Sequence, residues 1–226
     1  MLNQIPSRFQ STINFTTLSR FIFPVIFCLF IFQLPAQNWK AITGKKQEII
    51  KSVEKHKKNL IDISDKIWAH AEIAFEESES SKLLADYAEA NGFKVERNIA
   101  GMPTAFTASY GSGKPIIGIL GEFDALPGIS QKAVPHKEPL EEGKAGHGCG
   151  HNLFGAGSLG AAIAVKELIE KGRLKGTIRF YGTPAEEKYF GKLWLAREGY
   201  FDDLDACLDW HPNHQNNLLW PSSILL

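Results

Sequence analysis

Eleven residues from Ala145 to Gly155, AGHGCGHNLFG, hold two histidines, one cysteine and four glycines in a chain with only three cysteines and seven histidines. Cys149 and His151, separated by one glycine, offer a thiolate and an imidazole that can both bind a borderline metal such as zinc. The same pair could serve as a nucleophile and its base. Neighbouring loop residues rarely place a thiol and its base in line, however, and no oxyanion donor is evident, so the ligand reading is preferred. Glu186 and Glu187, in TPAEE, are adjacent carboxylates whose joint burial would need a cation; alone they also fit a solvated helix start favoured by the helix dipole. His211, in DWHP, fits alone a packed histidine beside Trp210. Together these groups suit hydrolysis. One carboxylate can ligate a metal that lowers the pKa of water toward ~7, and its neighbour can take the proton.

The elements around these residues place them on one edge. Lys45–His70 reads as a long amphipathic helix, with Ile49, Val53, Leu60, Ile63 and Ile67 at roughly helical spacing. Glu79–Asn91 is a second helix, stopped by Gly92. FKVER, TAFTASY and PIIGILGEF read as strands. Periodicity then disappears from Phe123 to Gly150, and loops this long inside a domain are often functional. LFGAGSLGAAIAVKELIEKG is a buried helix with many small residues. TIRFYGT, Thr177–Thr183, is a strand, YFGKLWLAREG a helix, and DACLDWHP a last strand. Alternating strands and helices imply a largely parallel sheet flanked by helices. Ligands of such sheets sit beyond the carboxyl ends of the strands, where Asp124, Glu186, Glu187 and His211 fall.

Composition sets the class. The chain has 226 residues, formal net charge zero and 44% hydrophobic residues, which is globular, with no basic excess to suggest nucleic acid. Three cysteines do not make a disulfide framework. Arg8 and Arg20 precede FIFPVIFCLFIFQL, Phe21–Leu34, about 14 residues long. That suits a secretory signal better than a membrane span, which needs ~20. Cleavage after Ala36 would start the mature chain near Gln37 and place it in a secreted or periplasmic setting, with no membrane attachment thereafter; an uncleaved anchor is the alternative.

GILGEFDALPGISQ, GHGCGHNLFG, GTPAEE and DWHP, in this order, resemble the two-metal amidohydrolase and carboxypeptidase family that includes aminoacylases and auxin-conjugate hydrolases. The branch of aminobenzoyl-glutamate hydrolase subunits looks closest, with Asn152 where sister branches carry Asp. The resemblance covers essentially Lys45–Pro212. It implies a zinc-peptidase-like α/β catalytic domain with two divalent metal ions, zinc or manganese. Cys149, His151, Glu187 and His211 would be ligands, Glu186 the general base acting through water, and Asp124 an orienting partner behind a ligand. His147 takes no role from it and reads as structural. The implied substrate is a small N-acyl amino acid, an aminobenzoyl-glutamate-like molecule or a dipeptide.

Family members are longer, with an inserted lid domain that forms a homodimer and a further histidine ligand after it. The expected organisation is therefore a signal peptide over 1–36, the N-terminal part of the catalytic domain over 37–212, and a tail over 213–226 where the lid would begin. His214 comes too early to replace the late ligand and reads as a surface residue. Two expectations follow: a metal-dependent amide hydrolase, or an inactive fragment or subunit that needs a complementary chain.

Overall fold

The computed structural model describes residues 39–213. The chain divides into two compact units, 1–44 and 45–226, and the fold below is that of the second. The segment Phe21–Leu34, its cleavage point and His214 lie outside the described residues. Helix α1, Trp39–His70, starts six residues before the sequence pattern places it. Its buried stripe runs Ser52, His56, Leu60, Ile63, Ser64, Ile67. Val53 is exposed instead of inward-facing, because Ser52 and His56 occupy the buried face at this level of the helix. His56 bonds through its ring nitrogens to the Tyr87 hydroxyl at 2.7 Å and to Glu167 at 3.1 Å.

Helix α2, Ser78–Ala90, leads to β1, Lys94–Arg97, and, after a 3-10 turn at Ile99–Gly101, to β2, Phe106–Ser112. Strand β3, Ile116–Gly121, and the long loop precede α3, His151–Glu170. Then come β4, Gly176–Gly182, the short helices α4, Glu186–Tyr189, and α5, Gly191–Arg197, and β5, Ala206–Leu208. The helix expected over 189–199 is shorter, Gly191–Arg197, and is cut off from α4 at Phe190, whose φ of 53° is left-handed.

The sheet order is β1-β2-β4-β3-β5. Strands β3, β4 and β5 are parallel, as their helical crossovers require, whereas β2 runs antiparallel to β4, and β1 to β2. The sheet is therefore mixed, and its parallel half carries the site. Alternation sends Ile178 and Phe180 of β4 to one face and Tyr181 to the other. The first face packs on Ile63 and Ile67 of α1, Leu84 of α2 and Leu159 of α3. The second packs on Met102 and on Leu195 of α5. Among the described residues α3 is the one helix long and apolar enough to cross a membrane, but it is mostly buried inside the fold.

Candidate metal centre

The three parallel strands end at Gly121, Gly182 and Leu208. Each is followed within a few residues by acidic groups or a histidine. His151 is the first residue of α3, and Gly150 before it has φ of 83°. A Cβ there would meet the Pro212 ring at 3.2 Å, so the glycine lets that ring, next to His211, pack close by. Sequence reading starts this helix two residues later, and the structure makes Cys149 and His151 its entry.

The inner side of the site is closed. His151 is 0% exposed. Its Nδ1 donates to Asp124 Oδ1 at 2.9 Å, and Asp124 Oδ2 accepts the Glu187 backbone N–H at 2.9 Å. One carboxylate thus fixes both a ring and the turn that carries the Glu pair. Burial pulls the His151 pKa down, but the Asp124 carboxylate outweighs it and holds the imidazole above its usual value. His151 Nε2 and Glu187 Oε1 lie 4.0 Å apart, and both are buried without a hydrogen-bond partner. Glu186 is partly buried; desolvation, then the charge of Glu187, raises its pKa.

The outer side is open. His211 is exposed. Its Nδ1 donates to the Pro212 carbonyl at 2.9 Å, which leaves Nε2 facing Cys149 Sγ at 3.3 Å. The His151 and His211 rings are 5.6 Å apart. Burial, then the carboxylates of Glu187, Glu186 and Asp124, push the Cys149 thiol up to about 11. A divalent cation would reverse that by stabilising the thiolate. Trp210 anchors the neighbouring backbone: its indole N–H donates to Ser158 Oγ at 2.8 Å and its ring meets Phe154 edge to face.

Cys149, His151 and His211 therefore offer donor atoms within 4.8 Å of one another, as do Glu122, His151 and Glu186. His147 stays outside: its Nε2 donates to the Ile67 carbonyl at 3.0 Å and ties the long loop to α1. Sequence reasoning missed Glu122, Lys192 and Glu77. Glu122 lies two residues before Asp124, so alternation of an extended segment could have put the two carboxylates on one face. Glu77, inside the polar run EESESS, carried no such signal. It is fully buried, accepts from Thr104 Oγ1 at 2.9 Å and the Ala185 N–H at 2.8 Å, and steadies the left-handed turn before Glu186.

Comparison with known proteins is consistent with this geometry. Residues 118–220 match the peptidase family M20/M25/M40. One subunit of the p-aminobenzoyl-glutamate hydrolase of Escherichia coli is 49% identical over 162 residues, 71% of this chain and 34% of that protein. The chain carries an M20 peptidase domain. It spans about a third of the length of that relative and 36% of the human Xaa-Arg dipeptidase, which is 32% identical over 70% of this chain. The crystal structure of the Bacillus subtilis YXEP protein, described as a dinuclear metal-binding peptidase of the M20 family, superposes with a TM-score of 0.61 at 26% identity, covering 71% of this chain and 44% of that one. The residues of this M20 domain fit divalent metal. The donor set mixes sulfur, nitrogen and oxygen, and two of its atoms, His151 Nε2 and Glu187 Oε1, are buried with no hydrogen-bond partner.

Proposed function

We propose that this M20 domain hydrolyses the amide bond of a small N-acyl amino acid, of the aminobenzoyl-glutamate or dipeptide kind, at a centre of two divalent ions. Cys149, His151, Glu187 and His211 would hold the ions. The observation that carries this reading is the gathering of the Cys149, His151 and His211 donors within 4.8 Å beside the unpartnered His151 Nε2 and Glu187 Oε1. Bound zinc or manganese would supply Lewis acidity toward the scissile carbonyl and lower the pKa of water. Glu186 accepts the proton of the attacking water and returns it to the leaving nitrogen. Its raised pKa suits both halves of that task. Asp124 holds His151 in the tautomer whose Nε2 is free to ligate. A secreted or periplasmic setting is proposed from the apolar segment Phe21–Leu34 alone.

The test is metal-dependent release of p-aminobenzoate from p-aminobenzoyl-glutamate. Glu186→Gln should abolish turnover with metal content unchanged. Equal loss of metal in that variant would exchange the roles of Glu186 and Glu187. A second reading, a subunit whose site is completed by another chain, is favoured by the description of the Escherichia coli relative as a subunit. Metal binding without turnover by the parent chain would select it.

A further inference from the structure

A carboxylate that this reaction does not use lies against the site. Glu122 follows β3 and is 2% exposed. Its Oε1 pairs with Lys192 Nζ, from the first turn of α5, and its Oε2 lies 3.0 Å from His151 Nε2. That second approach is not a hydrogen bond, because His151 Nε2 has no aligned partner. The other ring nitrogen donates to Asp124, so in the neutral ring, the form that ligates metal, Nε2 presents a lone pair. A lone pair and a carboxylate oxygen at this distance repel unless positive charge lies between them. Two donors 3.0 Å apart can both touch one cation at bond lengths of ~2.0–2.2 Å. Glu186 brings a third donor, all three within 4.8 Å of one another.

We propose that Glu122 is a further metal-site residue of this domain, its carboxylate facing the cation held at His151 Nε2, with Lys192 as the counter-charge that fixes it there. The inference rests on the metal reading of His151 given above. Lys192 suits the task by position. It follows the left-handed Phe190 that separates α5 from α4, and α4 carries Glu186 and Glu187. The short helix that carries the Glu pair therefore also sets, through the Phe190 turn at its end, where the ammonium meets Oε1 of Glu122. That leaves Oε2 toward the site.

The experiment is zinc titration of the full chain against a chromophoric chelator, with metal-free circular dichroism and melting measured in parallel. Glu122→Gln keeps the shape and removes the charge. It should bind zinc about 10–100-fold more weakly, the loss typical of groups that tune a metal site, while metal-free helix content stays unchanged. Lys192→Met should weaken zinc binding in the same direction by less. A purely structural pair would instead lower the metal-free melting temperature and leave the affinity of the folded chain intact, which would overturn the proposal. If Glu122→Gln does not fold, Glu122→Asp decides, because it keeps the charge but retracts it: weaker zinc binding supports the proposal, and parental affinity overturns it. A folded parent that binds no zinc overturns the metal reading together with this one, whereas equal binding by parent and Glu122→Gln overturns this one alone.

Discussion

His151 and His211 are neighbouring imidazoles with opposite surroundings. His151 opens a 20-residue helix, is fully buried, and is held by a carboxylate that also holds the Glu187 backbone. His211 follows a three-residue edge strand, is exposed, and is held by the adjacent Pro212 carbonyl and by the anchoring of Trp210. One half of the site is thus built into the core, and the other is hung on its rim. Fold stability and metal binding should therefore be coupled at His151 and nearly separate at His211.

Removing the shared inner carboxylate should have the largest effect. Asp124→Ala strands a buried imidazole and a backbone N–H. It should cost about 4 kcal/mol of unfolding free energy in a urea titration, because one partner of a buried polar pair is lost. A loss no larger than that of a surface variant would break the contrast.

Next comes the support beneath the Glu pair. Burial pushes Glu77 up to about 7 from 4.5, against hydrogen bonds from its own backbone N–H, Thr104 and Ala185 that pull it down. Between these values the folded protein holds a proton that the unfolded chain has released. The contribution is therefore fully present below about pH 4.5 and is lost as pH rises through about 7. The full swing is about 3 kcal/mol. Glu77→Gln should flatten the pH dependence of the urea midpoint over this window, and an unchanged slope would exclude Glu77 as its source.

On the rim the effects shrink. Trp210→Ala loses the indole hydrogen bond and the contact with Phe154, about 1–2 kcal/mol of stability. It should also weaken zinc binding by freeing His211. His211→Ala should change stability by less than about 0.5 kcal/mol. Its zinc affinity should nevertheless fall at least about tenfold, since even the outer partners of a ligand account for that much. A drop in stability matching that of Asp124→Ala would erase the distinction between core and rim.

The same contrast marks what was legible in the sequence. Strongly apolar strands and the small-residue helix α3 announced the parallel half of the sheet, and the four motifs announced which strand ends to inspect. The antiparallel pairing of β2 with β4 was not legible, because a short strand carries no mark of its partner's direction. Nor was the break at Phe190, since a left-handed aromatic is set by tertiary packing and breaks local preference. Glu122 and Glu77 escaped for a related reason. A buried carboxylate is recognisable only by its partners, and those stand 70 residues away at Lys192 and 108 away at Ala185.

The central claim, a metal held jointly by the core and rim halves, is tested most directly by titrating the full chain with cobalt(II) and recording its near-ultraviolet and visible absorption. The account predicts a thiolate-to-cobalt charge-transfer band for the parent, lost in Cys149→Ser, with d–d bands altered in both His151→Ala and His211→Ala. A folded parent that takes up no cobalt, or a charge-transfer band that persists in Cys149→Ser, would contradict it.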